Sequence, residues 1–409
     1  MDFKDTPELA AFRAEIRQWL DDNAERRTDN LHMGMEGEEA FLEAKDWYKK
    51  KADAGYASMT WPKEYGGAGL TSLHDVVWSQ EVQNYRTRDA QFVIGIGNCG
   101  PAIMHFAEEE AKKELLPRMA SAEDVWCQLF SEPSAGSDVA GLRTRAEQDG
   151  DNWVLNGQKI WTSGAQHSDF GVVLTRTDPT VSKYRGLTMF MIDMRQEGVE
   201  VRPIKQMDGG QHFNEVYFND AVVPDNYRLG GVGEGWTGAL TVLMSERLAI
   251  AGVQPTGFPQ FLDLVKSLEL NGEPIAKDPI VRERLATWYS QYAGLQAANK
   301  RMITAVAKGG IAGAEASLGK LVGAVMNQEI ANFCCQLFGQ AGVIQDEVLS
   351  PERGHFQDTV LFSPGVRLAG GTDEVMRNIL AEQVLGLPQE PRADKGMAFQ
   401  DIPTGAGAG

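Results

Sequence analysis

Glu246 puts a carboxylate where an apolar residue is expected. In "TGALTVLMSERLAIAG" it has Val242 and Leu243 one turn before it and Ala249 and Ile250 one turn after, so at helical spacing it leaves an apolar stripe. Ionised carboxylates are rarely buried without a partner. The adjacent Arg247 projects about 100° away around the helix and need not neutralise it. Two readings follow: a structural ion pair with a basic residue elsewhere, or a general base kept in a dry site. One buried carboxylate without a metal suits removal of a proton next to a carbonyl. Metal chemistry has no support, because the six histidines form no ligand-spaced cluster.

Two glycine-bearing stretches also bear on chemistry. In "GVRLAGGTDEVMRN", residues 365–378, Thr372 suits the N-cap of a helix, and Asp373 and Glu374 suit its positive end. Val375, Met376, Ile379, Leu380 and Val384 recur at helical spacing until Gly386 and Pro388 stop the pattern. The amides beside Gly370 and Gly371 form either an anion site or an ordinary loop-to-helix junction. Residues 95–100, "GIGNCG", spell G-x-G-x-x-G. Their context argues against a dinucleotide site, since no convincing first strand precedes them and the acidic residue expected about twenty positions on would fall inside a helix.

Composition bounds the rest. The chain has 409 residues, 43% of them hydrophobic, and a net charge of −18, which suits a soluble globular protein with room for two or three domains. No basic cluster interleaves with aromatics, so nucleic acid and anionic membrane are not expected partners. Four irregularly placed cysteines make no disulfide framework; Cys334 and Cys335 fall in a helical pattern and read as buried thiols. The acidic amphipathic start lacks the order of a signal peptide, and no uncharged run is long enough to span a membrane. A cytoplasmic protein is expected, with "TGAGAG" as a disordered end.

The elements that must position these residues follow from periodicity. Residues 1–123 read as helices, in "PELAAFRAEIRQWLDDN", "EEAFLEAKDWYKKKADAG" and "PAIMHFAEEEAKKELLPRMAS". Residues 124–232 change to a period of two, in "NWVLNGQKIWTS", "DFGVVLTRT", "LTMFMIDM", "VEVRPI" and "NEVYFNDAVV", and predict an antiparallel sheet or barrel. Residues 233–390 return to the helical period, and 391–409 form a C-terminal tail. The order is helical, β, helical.

The strings "CQLFSEPSAGSDVAGLRTRA" and "WVLNGQKIWTSGAQHSDFGVVLTRT" resemble the signature of the acyl-CoA dehydrogenases, and "WPKEYGGAG", "NEVYFNDAVVP" and "GGTDEVMRNILAEQVLGLP" follow in that family's order. The resemblance covers nearly the whole chain. It implies an α+β fold with an N-terminal helical domain, a middle β-barrel or sandwich domain and a C-terminal four-helix bundle. It also implies FAD as cofactor, an acyl-CoA thioester as substrate, α,β-dehydrogenation, and electron-transferring flavoprotein as electron acceptor. Acyl-CoA oxidase is a related alternative, and a non-catalytic subunit is another.

Residue by residue, Gln128, Phe130 and Ser131 match the family's segment along the flavin. Trp161 and Ser163 match positions flanking its ring, and Gln336, Gly339, Thr372 and Glu374 match further cofactor positions. Ser137 and Arg247 match the substrate side. Many members carry the catalytic glutamate immediately before the Gly-Thr of the C-terminal loop, where this chain has Gly370. The isovaleryl-CoA and long-chain branches instead place the base on a helix directly before an arginine, which matches Glu246. A second departure is the absence of the family's Arg-x-x-Phe-Gly from "LELNGEPIAKDP", where an arginine would reach the FAD of a neighbouring subunit. The resemblance therefore leaves open a homotetramer or an α2β2 heterotetramer with a related subunit.

Overall fold

A computed structural model describes residues 5–27, 37–89, 91–253, 256–307, 313–346 and 348–403, without the side chains of 247–253, 306 and 307. The "TGAGAG" end lies outside the described residues. The first elements are α1 (Pro7–Asn23), β1 (Glu25–Arg26), α2 (Glu38–Asp53), α3 (Ser72–Val82), β2 (Tyr85–Arg86), α4 (Gly100–Phe106) and α5 (Glu109–Ala120). Strands follow: β3 (Trp126–Leu129), β4 (Arg145–Asp149), β5 (Asn152–Ser163), β6 (Phe170–Arg176), β7 (Leu187–Asp193), β8 (Val199–Pro203), β9 (Phe213–Pro224) and β10 (Arg228–Leu229). The last are α6 (Gly235–Val253), α7 (Phe258–Ser267), α8 (Pro279–Ala307), α9 (Ser317–Leu337), α10 (His355–Leu368) and α11 (Asp373–Ile379).

The chain divides into two compact units, and the break falls inside α6, directly after Glu246. The sheet-containing unit holds Glu36–Thr71, Thr87–Glu246 and the segment from Glu390 onward. Its eight strands run in the order β10-β7-β6-β4-β5-β9-β8, with β3 also paired to β6. The pairing corrects the expected antiparallel sheet: β3 lies parallel to β6, Gln128 opposite Val172. A parallel neighbour needs a long crossover, and the β4–β5 hairpin supplies one. "LTMFMIDM" runs apolar instead of alternating because both faces of β7 are covered. Phe190 and Ile192 meet Trp153, Leu155 and Phe218, while Leu187, Met189 and Met191 share a cluster with Leu115, Leu116 and Val242.

The helical unit holds Ser72–Arg86, Arg247–Gln389 and the N-terminal helix. Its main core joins Phe258 and Phe261 of α7, Trp288 of α8, Met326, Ile330 and Cys334 of α9, and Phe356 of α10. α1 packs on α3, where buried Glu81 accepts hydrogen bonds from Arg13 and Arg17. The N-terminal helices are thus divided between the units: α1 and α3 go with the C-terminal helices, α2, α4 and α5 with the sheet. All four cysteines are free; Cys99, Cys127 and Cys334 are buried, with burial pushing each thiol's pKa up. Among the described residues no helix is long and apolar enough to cross a membrane.

Candidate active site

On the sheet-containing unit, the segment after β3 is stitched to β5. The Ile160 amide donates to the Ser131 carbonyl at 2.9 Å. Lys159, with no exposed surface, donates from Nζ to the Phe130 carbonyl at 3.1 Å and to Glu132 Oε1 at 2.8 Å. Glu132 also accepts from the amides of Arg143, at 2.7 Å, and Thr144, at 2.8 Å. Burial pushes the Glu132 carboxyl up most strongly, yet the Lys159 charge and these donors together hold it below its ordinary value. Burial outweighs the Glu132 charge at Lys159 and pulls the ammonium down. Four hydrogen bonds on one buried pair hold the 130–144 loop against β5.

Two residues beyond Lys159 the strand bulges. Lys159 pairs with Val216 and Thr162 with Asn214, so β5 carries one more residue than β9 across this step. The bulge sets Trp161 at φ +60°, a left-handed conformation that is costly for a bulky side chain, and leaves its indole 56% exposed beside Phe213. Thr162 is buried, its carbonyl accepts from Asn214 Nδ2 at 3.0 Å, and its Oγ1 has no hydrogen-bond partner. Ser163 is half-buried at the strand end. Gln128 Oε1 accepts from Asn98 Nδ2 at 3.1 Å, Phe130 is buried in the core, and Ser137 stands exposed on the loop.

Asn98 belongs to "GIGNCG", which forms a π-helical turn, Ile94–Cys99, leading into α4. A Cβ at Gly100 would enter the Trp61 indole, so this glycine serves helix packing. The strand that precedes the turn is the two-residue β2, and the turn is itself helical, so the strand–loop–helix context of a dinucleotide site is not met.

Glu246 is placed by the seating of α6. The helix begins at Gly235, where a Cβ would collide with the Leu187–Thr188 backbone of β7, and Ala239 and Val242 are fully buried beyond it. Glu246, one turn past Val242, is half-buried. The expected apolar stripe is therefore present on its N-terminal side; Ala249, Ile250 and Arg247 have side chains outside the described residues.

On the helical unit, Thr372 caps α11 as expected, its Oγ1 accepting from the Val375 amide at 3.2 Å. Asp373 is buried and bonded to Arg367, beyond simply complementing the helix dipole. Buried Lys320 donates to the carbonyls of Arg367 and Gly371 and fixes the loop. Gly370 has φ +67° and Gly371 φ +106°, values that exclude an unstrained glutamate at 370. Glu374 is exposed, held below the usual carboxylate range by its own amide and the Thr372 hydroxyl. Gln336 is exposed near the end of α9, and exposed Gly339 follows it at φ +58°.

Three family models match in order: the acyl-CoA dehydrogenase N-terminal domain over residues 6–123, the middle domain over 127–221 and the C-terminal domain over 233–385. The chain belongs to the acyl-CoA dehydrogenase family. Among its curated relatives, the acyl-CoA dehydrogenase IpdE1 of Mycobacterium tuberculosis is 34% identical, the match covering 94% of this chain and 99% of the relative. Among solved structures, the Tcur3481-Tcur3483 steroid acyl-CoA dehydrogenase superposes with a TM-score of 0.80 at 29% identity, covering 95% of this chain and 100% of the other. The ChsE4-ChsE5 complex of Mycobacterium tuberculosis gives a TM-score of 0.77 at 26% identity, covering 95% and 100%.

Acyl-CoA dehydrogenases are FAD-binding oxidoreductases, and the residues of the sheet-containing unit fit such a group. An exposed indole in a strained backbone, with half-buried Ser163 two residues on, is what a planar heteroaromatic ligand can stack on and bond to. The sequence motifs contain Glu132 and Lys159, but their pairing was not legible from them. The available signal is parity: Lys159 shares the inward face of Trp153 and Leu155, an anomalous place for an unpaired lysine.

Proposed function

We propose that this chain is the catalytic subunit of a heteromeric, FAD-dependent acyl-CoA dehydrogenase that introduces a trans α,β double bond into a bulky, steroid-derived acyl-CoA. The observation that carries the reading is the half-buried carboxylate of Glu246 on α6, with a glycine in left-handed backbone at 370, in a chain matched throughout by the family's domains. The neighbouring steroid acyl-CoA dehydrogenase and the ChsE4-ChsE5 complex support the substrate class and the two-polypeptide assembly. The stretch lacking Arg-x-x-Phe-Gly supports the assembly too: it forms a tight hairpin, Glu269–Leu270 with Glu273–Pro274, and carries no arginine. A partner chain would supply that cation.

In this reading Glu246 removes the α-proton and holds it as a carboxylic acid. FAD, when bound, supplies the two-electron acceptor for the β-hydrogen. Trp161 and Ser163 flank the ring, and Gln128, Phe130 and Ser131 line it; Gln336, Gly339, Thr372 and Glu374 are further cofactor-binding residues. Ser137 and Arg247 bind the substrate. Lys159 and Glu132 keep the 130–144 loop in register with Trp161. Electrons pass to electron-transferring flavoprotein, in the cytoplasm, where the free thiols suit a reducing medium.

The test is anaerobic stopped-flow reduction of bound flavin by a sterol-side-chain acyl-CoA, comparing the native chain with Glu246→Gln, each assembled with its partner subunit. The variant is expected to slow reduction by about 10²- to 10⁴-fold, the usual worth of a positioned general base. An unchanged rate would remove Glu246 from the mechanism.

A further inference from the structure

Resting on the reading of the 133–144 loop as part of the acyl-CoA site, we propose that the C-terminal segment 390–403 is a strap that positions this loop for substrate, with Lys183 as its pivot. Four features of the sheet-containing unit carry the proposal. Asp394 meets Lys183 Nζ at 2.6 Å, and the same ammonium donates to both carboxylate oxygens of Asp138, at 2.8 and 2.9 Å, beside Ser137 on the loop. Lys183 is buried to 9% exposure, so the two carboxylates share a single sheltered cation and are tied together by it.

The Arg176 guanidinium lies over the Phe399 ring, 3.7 Å from the ring centroid, with that of Arg143 5.5 Å from it. Buried Arg176 donates to the carbonyls of Ala140, at 2.6 Å, and Leu142, at 3.3 Å, which belong to the same loop. The amides of Phe399 and Gln400 donate to Val181, at 2.8 Å, and Pro179, at 3.0 Å, so the strap is bonded through its backbone as well as its side chains. Arg392 bonds Asp394 and covers the Tyr184 ring, which in turn packs against Trp236 in the first turn of α6.

The strap therefore holds the loop at two points: at Asp138 through Lys183, and at Ala140 and Leu142 through Arg176. None of its residues stands among those assigned to proton removal or to the cofactor. It acts on affinity for acyl-CoA by holding the loop preorganised, and leaves the chemical step to Glu246.

Asp394→Asn and a chain ending at Gln389 are compared with the native holoenzyme in two measurements. The first is hydrogen exchange at the 139–144 amides. The second is the dependence of anaerobic flavin reduction on acyl-CoA concentration. Asp394→Asn is expected to speed exchange about tenfold and raise the half-saturating acyl-CoA concentration about tenfold, as loss of the charge-assisted bond to Lys183 would do, and the shortened chain to do so at least as much, with the limiting reduction rate within about twofold. Asp394→Glu, which keeps the charge, is expected to restore both. Faster exchange with unchanged half-saturation would overturn the link to substrate, and unchanged exchange would overturn the strap. Should the truncated chain not fold, Asp394→Asn decides alone. Failure of the functional reading is distinguishable, because it shows in the native protein as no flavin reduction by any acyl-CoA, whereas exchange reads the strap without substrate.

Discussion

Replacing Lys159 with Met keeps an unbranched stem of similar volume and deletes the ammonium, so the packing change is small, under about 1.5 kcal/mol. The electrostatic loss is larger. Glu132, 6% exposed, keeps its bonds from the Arg143 and Thr144 amides but loses the cation 2.8 Å away, and the Phe130 carbonyl loses its donor at 3.1 Å. Breaking a buried pair from one side costs about 3–5 kcal/mol, and the two retained amide bonds place this case near the lower end, about 3 kcal/mol. That is more than a hundredfold in the folding constant, and it falls on the loop that carries Ser131 and Ser137. Urea unfolding followed by tryptophan fluorescence should show the loss as a lowered midpoint, and retained FAD per chain should fall with it. The double variant Lys159→Met, Glu132→Gln should lose less than the sum of the singles, because neither partner is left charged and alone. A loss under about 1 kcal/mol with full FAD retention would refute the view that this pair organises the loop.

Two further expectations follow from the loops. Gly370→Ala must adopt φ +67° and should destabilise the helical unit by about 1 kcal/mol, read as a lowered thermal midpoint; an unchanged or raised midpoint would show that the 370 backbone relaxes freely. The strap should remain docked across ordinary pH. Arg392 and Lys183 hold the Asp394 carboxyl well below the usual range, so its contribution is complete above the unfolded value of about 3.9 and is lost as pH falls through the folded one. Burial opposes the charge on Lys183, but Asp138 and Asp394 prevail and raise it, so its contribution is complete below about 10.4 and is lost as pH rises through the folded value. Exchange protection of the Phe399 and Gln400 amides, corrected for intrinsic rate, should be flat from about pH 5 to 9; release inside that window would contradict the assignment.

By itself the sequence determined the helical–β–helical order, the spans of β5 to β9 and the Thr372 cap, because periodicity and capping are carried by residues within a few positions of one another. Its motifs also placed the chain in its family. Tertiary structure alone decided which residues meet across distance. The parallel seat of β3 depends on where β6 lies after a hairpin, and the left-handed Trp161 depends on how β5 and β9 fall out of register. Lys159 finds Glu132 27 positions away, and Asp394 and Phe399 of the C-terminal segment are held by Lys183 and Arg176, partners that no local pattern designates. A side chain's spacing tells which face it occupies; the charge that faces it there belongs to another element, and only folding brings the two together.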